Sequence, residues 1–317
     1  MMEHNIVSVS GGKDSTALLL LAIERGAENL QAVFADTGNE HQITYDYVRY
    51  LADATDVKIR WVKADFSAQI NAKRERLEAV ARGENVPRNT WAPEQAARAI
   101  PYLTPTGNPF IDLCVWKGRF PSTKARFCSE ELKRNVIVSQ VNQPLWDAGD
   151  YIVSWQGVRA DESPSRALLE EEEDVDQNYT IYRPLLRWTA EECFAMHRKH
   201  GIKHNPLYEQ GMGRVGCMPC IHANKNELLE ISTRFPGEIE RVAQMEKAVG
   251  YASRRGSSTF FASDKTPGDH VGTPDIEMPG IRDVVEWSKT GRGGRQYDWL
   301  RMEEDGLLCS SLYGLCE

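Results

Sequence analysis

The chain has 317 residues, enough for one large domain or two smaller ones, with 41% hydrophobic and 26% charged residues, as in an ordinary globular protein. It has no run of about 18 apolar residues and no basic leader, which excludes a transmembrane helix or signal peptide and leads us to expect a cytoplasmic protein without a membrane partner. A net charge of −8 excludes an overall basic surface but not a local basic groove, and seven cysteines without an export signal argue for metal or catalysis rather than disulfides.

In chain order, the apolar run Ile6–Val9 reads as a strand. It turns through Ser10-Gly11-Gly12-Lys13-Asp14-Ser15 into a helical pattern over Ser15–Arg25. Glycines let backbone N–H groups approach an oxyanion, and the first helical turn presents unpaired N–H groups to it. Lys13 adds a point charge, and Ser10 and Ser15 add hydroxyls. The expected ligand is a polyphosphate, most simply the pyrophosphate part of ATP, although the loop is neither a Walker A loop nor a dinucleotide fingerprint.

Strands are expected at Leu30–Phe34, Val57–Val62 and Tyr151–Trp155, with helices at Gln42–Thr55 and Ser67–Arg82. This alternation predicts an α/β fold, a doubly wound, mainly parallel sheet followed by an irregular, partly helical C-terminal region. We divide it as a nucleotide-binding domain over 1–205, with an irregular Pro- and Trp-rich insertion at 85–125, and a C-terminal region over 206–317. Ligands of such sheets sit at the carboxyl ends of strands, so Asp36, just after the second strand, is expected near the Ser10–Ser15 loop.

A short helix is predicted over Ser129–Val138. The strand ending at Trp155 leads into Gln156-Gly157-Val158-Arg159-Ala160-Asp161-Glu162-Ser163, with Arg166 close behind. Arginines in a strand-end loop offer forked donors to phosphate or sulfate. The acidic run Glu170–Asp174 reads as a solvated loop. Thr189–His200 carries a capping-box signature, Thr189 with Glu192, and a further helix is expected near Asn226–Ala248.

Cys217-Met218-Pro219-Cys220 is a C-x-x-C without a thioredoxin-like context, so it reads as half of a metal or cluster site. Cys128 is the best third ligand, with Cys309 or Cys316 as a fourth and His222 as an outside option. Four thiolates suit zinc or an iron–sulfur cluster. Cys114 and Cys193 read as buried core thiols. Arg254-Arg255-Gly256 and Arg292-Gly293-Gly294-Arg295 lie near aromatic residues and would suit a phosphate backbone, with a plain solvated surface as the alternative.

Ser10–Ser15 resembles the PP-loop of the ATP pyrophosphatases. The run Gly157–Ser163 with Arg166, then Arg183–Trp188 and Asn205-Pro206-Leu207-Tyr208, resembles the PAPS reductase-like branch of that superfamily. Arg126-Phe127-Cys128 with Lys133 resembles that branch's Arg-Cys-Cys/Thr-x-x-x-Lys element, and Gly216-Cys217-x-x-Cys220 resembles the half-site of its iron–sulfur members. The resemblance covers roughly residues 5–225. It implies an adenine nucleotide alpha-hydrolase-like fold and favours [4Fe–4S] over zinc. It also implies a nucleotide site made of Ser10, Gly11, Gly12, Lys13, Asp14, Ser15, Asp36, Arg126, Lys133, Gly157 and Arg159. Lys13, Asp14, Arg159, Arg166 and Cys316 are its candidate catalytic residues, and Cys128, Cys217, Cys220 and Cys309 its candidate cluster ligands.

The expected activity is adenylation with ATP and Mg²⁺, releasing pyrophosphate, in sulfur transfer to an acceptor such as nucleic acid, with a sulfur-donor protein as a further partner. The alternatives are a sulfonucleotide reductase using Cys316 as nucleophile, or a catalytically silent nucleotide-binding subunit. The oligomeric state is open, a homodimer among the options.

Overall fold

The computed structural model describes residues 1–261 and 279–291. Contacts divide the chain into two compact units whose segments interleave. The first takes in residues 1–63 and 132–217, and the second residues 64–131 and the described residues from 218 onward.

The first unit holds a six-stranded sheet in the order β3-β2-β1-β4-β6-β5. Its strands are β1 (Glu3–Val9), β2 (Leu30–Asp36), β3 (Ile59–Lys63), β4 (Tyr151–Trp155), β5 (Glu172–Asp176) and β6 (Tyr179–Tyr182). All neighbours pair in parallel except β5 with β6. The four strands read from the sequence are all present, within two or three residues of the expected ends. The acidic run differs from expectation. It contributes to β5, an edge strand whose every residue is exposed. A strand on the rim keeps its carboxylates in water while its backbone pairs on one side only, and charge there deters pairing with another chain.

Helix α1 (Lys13–Glu24) follows β1, and Ala17 through Ala22 are all buried. A helix apolar on every side has to be enclosed. It packs against the sheet and against α6 (Ala190–Lys199). Thr189 caps α6 through the expected box, accepting from the Glu192 N–H at 3.2 Å while the Glu192 carboxylate accepts from the Thr189 N–H at 2.6 Å. Between β2 and β3 runs α2 (Gln42–Thr55).

The second unit is helical in its described residues: α3 (Ser67–Ala81), α4 (Pro93–Ala99), α5 (Pro109–Lys117), α7 (Lys225–Arg234), α8 (Pro236–Tyr251) and α9 (Ile281–Ser288). The stretch expected to be irregular thus contains α4 and α5. Each begins with proline at its first position, where the missing N–H costs nothing. The single helix expected near Asn226–Ala248 is two, broken at Phe235-Pro236, because proline excludes the residue before it from helical geometry. The helix expected at Ser129–Val138 is a longer helical run, Phe127 to Asp147, with π-type stretches at Glu130–Arg134 and Val138–Asn142.

Candidate active site

In the sheet, β1 is followed in space by β2 on one side and β4 on the other. The chain reverses its direction of winding there, and the crevice at the carboxyl ends of such a pair is where open α/β sheets bind ligands. The Ser10–Ser15 loop leaves β1 at this point and Gly157–Arg159 leaves β4.

The loop is tightly built. Gly11 has φ +75°, and a Cβ there would lie 2.9 Å from the Thr44 methyl, so both conformation and space require glycine. The Ser15 hydroxyl folds back, donating to Gly12 O at 3.0 Å and accepting from the Ser10 N–H at 3.0 Å. Gly12 caps α1 without a side-chain hydrogen bond. Lys13, only 4% exposed, has its ammonium 3.2 Å from the Asp14 carboxylate.

Three buried side chains from distant sequence brace the loop. Tyr208 accepts from the Lys13 N–H at 2.8 Å. Asn205 donates to Gly11 O at 3.1 Å, and its own Oδ1 accepts from the Leu207 N–H. His197 on α6 lies 2.9 Å from Lys13 O. That carbonyl only accepts, so Nε2 carries the proton. Burial lowers the His197 pKa to about 4, so the ring is neutral at pH 7, and its buried Nδ1 has no hydrogen-bond partner.

The β4 loop closes on the same place. A Cβ on Gly157 would come within 3.3 Å of Asp14 O. Arg159, 5% exposed, has Nε 2.8 Å from Asp14 Oδ1 and Nη1 2.8 Å from Asp161 Oδ2. The Nε contact is an ion contact off the N–H axis, for neither atom makes an aligned hydrogen bond. Arg159 therefore orients Asp14 and is itself neutralised by two carboxylates. Arg166 is 40% exposed in its side chain and pairs with Glu162 one helical turn away.

Asp36 ends β2. Its Oδ1 accepts from the Gly38 N–H at 2.9 Å and the Tyr45 hydroxyl at 2.8 Å. Glu40, which the sequence reading passed over, is buried and accepts from the Thr37 hydroxyl at 2.7 Å. Tyr45 faces both carboxylates, and burial followed by their charge raises its pKa far above the usual phenol value. Cys217 bridges to the Glu40 backbone, with Sγ 3.6 Å from the Thr37 hydroxyl and 3.7 Å from Glu40 Oε1.

The remaining expected residues are distributed as follows. Lys133 and Cys217 belong to the first unit, and Arg126, Cys128 and Cys220 to the second. Arg126 is exposed. Cys309 and Cys316 lie outside the described residues. Among the described residues, no three Cys, His, Asp or Glu side chains converge as a metal or cluster requires. Cys114 and Cys193 are fully buried, as expected, and burial raises both thiol pKa values.

Fold and site together define an α/β protein with a braced, glycine-turned loop at a sheet switch point, where folds of this class bind ligands. The chain belongs to the phosphoadenosine phosphosulfate reductase domain family, whose profile matches residues 4–96 and 111–223. An uncharacterized 37.8 kDa protein of Escherichia phage 186 is 49% identical over 324 residues, covering 99% of this chain and 96% of its own length. The adenosine 5′-phosphosulfate reductase of Allochromatium vinosum is 38% identical over 68 residues, 21% of this chain and 27% of that protein. A phosphoadenylyl-sulfate reductase from Candida auris, solved with phosphate, superposes with TM-score 0.40 at 16% identity over 68% of this chain and 82% of that one. Among the described residues, no helix is long and apolar enough to cross a membrane.

Proposed function

We propose that this chain is an ATP-dependent adenylating enzyme that activates an acceptor oxygen for replacement by sulfur. The observation that carries this reading is the complete phosphate loop, with its glycine turn, buried Lys13 and internal hydroxyl lock, braced by Tyr208, Asn205 and His197. In the proposed step an acceptor oxygen attacks the α-phosphorus of ATP. The bond from that phosphorus to the bridging oxygen breaks, and pyrophosphate leaves with the electron pair. The acceptor's proton goes to solvent. Lys13 and the N-terminal turn of α1 stabilise the charge that grows on the leaving pyrophosphate. Arg159 acts through Asp14, holding that carboxylate against the Lys13 ammonium so that the cation stays at the loop.

Mg²⁺ would screen phosphate charge when it arrives with the nucleotide. Asp14 and Asp36 are committed to Lys13, Arg159, Tyr45 and Gly38, and no described carboxylate group forms a protein site for the ion. Nucleic acid as acceptor and a sulfur-donor protein complete the proposal.

Incubating the whole chain with α-labelled ATP, Mg²⁺ and single-stranded nucleic acid tests it. Labelled AMP or an AMP adduct, with pyrophosphate, is expected. Lys13→Ala should slow its formation by about 10²-fold or more, the scale of losing one oriented charge-stabilising donor. ADP as product, or an unaffected Lys13→Ala variant, overturns the reading.

A second reading is favoured by the stretches shared with adenosine 5′-phosphosulfate reductases. In that case the nucleotide is a sulfonucleotide and a cysteine thiolate, Cys316 in the expectation above, attacks its sulfur. Sulfite released from APS or PAPS with a thiol donor, and lost in Cys316→Ser, would establish it in place of adenylation.

A further inference from the structure

Within the second unit lies a cavity of about 960 Å³ walled by α3, the end of α5, the turn through Thr90 and the segment 253–259. Every charged side chain on its wall is Lys or Arg, and no Asp or Glu lines it, in a chain whose net charge is −8. Arg254 and Arg255, basic residues that suit either a nucleic-acid contact or a plain solvated surface, both line this cavity.

The wall is held in shape by cations that spend their donors on backbone carbonyls. Lys73 donates to Val115 O at 2.8 Å and to Trp116 O and Ala252 O at 3.1 Å, tying the carboxyl ends of α5 and α8 together. Arg76 donates to Pro87 O and Arg88 O at 3.2 and 3.1 Å, and Arg254 to Thr90 O at 3.3 Å. A second set of cations is left facing the space. Among the described residues no ion pair engages Arg88, Arg119 or Arg255, and all three are exposed. Trp91 is fixed by Asn89, which accepts from its N–H at 3.0 Å and donates to its carbonyl at 2.8 Å. Trp116 is already stacked on Phe66, with ring centroids 5.7 Å apart and the Lys117 ammonium 3.9 Å from its ring, whereas Trp91 has the Lys73 ammonium 5.7 Å from its centroid but, among the described residues, no ring stacked on it, so Trp91 is the ring with room to stack a base.

We infer that this cavity binds a single strand of nucleic acid, with phosphates against Arg88, Arg119 and Arg255 and a base on Trp91. Cations without an ion pair, Arg119 with its guanidinium 5.5 Å from the Phe127 ring centroid, line one cavity with an aromatic ring and match a backbone whose charges repeat and whose bases are unpaired. One inorganic phosphate would leave most of a cavity this size unfilled, and a duplex would not present a free base face to Trp91. As the site of an acceptor strand, the inference rests on the activity proposed above. As a binding site, it stands apart from that activity.

The test is fluorescence anisotropy of a labelled single-stranded oligonucleotide with the full chain, over a salt series. Binding that weakens with salt is expected. Arg88→Glu with Arg255→Glu should weaken it roughly tenfold or more and flatten the salt slope by about 0.7 per lost phosphate contact. Trp91→Ala should weaken it roughly tenfold, and Trp91→Phe much less, because stacking survives. Affinity unchanged in these variants, or no binding at low salt, overturns the inference. So does displacement of the oligonucleotide by tripolyphosphate or poly-glutamate at equal charge concentration, which would mark a general polyanion site. Lys13→Ala should bind the oligonucleotide normally. Normal, variant-sensitive binding without ATP turnover in the wild type would sink the adenylation reading alone. Turnover with variant-insensitive binding would sink this inference alone.

Discussion

Lys13 shows how much of a loop's chemistry depends on residues far from it. Its N–H is held by the Tyr208 hydroxyl and its carbonyl by His197, 195 and 184 positions away. Tyr208→Phe leaves that acceptor missing from a buried position, so a stability loss of about 1–3 kcal/mol is expected in denaturant melts, together with weaker ATP binding. His197 makes a pH prediction. Its pKa falls from 6.5 to about 4 in the fold, chiefly through burial. As pH drops, the unfolded chain takes up a proton that the folded chain refuses. The stability tied to the neutral ring is therefore whole above about pH 6.5 and is lost progressively down to about pH 4. The loss is on the order of 3 kcal/mol. Unfolding free energies at pH 7 and pH 4.5 should differ less in His197→Gln than in the wild type. An equal pH dependence in both proteins would refute this account. The sequence showed Asn205 and Tyr208 only as a family resemblance and His197 as one residue of an amphipathic helix. Nothing local in either stretch reveals that its partner is a loop near the amino terminus.

Among elements, strands and helices with regular apolar periodicity were legible, because their signal is local. β1, β2, β3, β4, α2, α3 and α6 fall close to where the pattern puts them. The elements that departed from expectation are those decided by tertiary neighbours or by one residue. β5 has no apolar face to announce it and exists because β6 offers a backbone edge. Replacing Glu172 and Asp176 there with threonine should raise β-propensity and remove edge repulsion. Self-association, read by light scattering, is expected to increase, whereas a variant that stays as dispersed as the wild type would show that those charges are not needed at the rim. In the second unit, Lys73 serves two helix ends at once. Burial pushes its pKa down to about 8. Lys73→Met strands three carbonyls that shared one donor, and a destabilisation of about 3 kcal/mol or more is expected by chemical denaturation.

For the molecule as a whole, periodicity announced a mainly parallel α/β sheet, and the glycine-rich loop was legible as the turn from its first strand into a helix. They did not announce that the units interleave, since a chain that leaves one unit at Ala64 and returns at Leu132 carries no compositional mark at either crossing. The cysteine spacing was visible, whereas the side-chain surroundings of Cys217, a threonine hydroxyl and a glutamate carboxylate, were not. The bracing of the phosphate loop has a consequence in time. A ribosome delivers Ser10–Ser15 long before Asn205 and Tyr208, which follow only after most of the first unit has been made. Contacts so remote in sequence carry a large loop-closure cost and form late. A nascent chain would therefore carry the glycine-rich loop through the synthesis of most of the first unit without its finished braces. Chains arrested before residue 205 should fail to be retained on immobilised ATP, and chains released after about residue 217 should begin to be retained. Nucleotide present at that moment would act as a folding ligand, drawing the late segment into place by mass action.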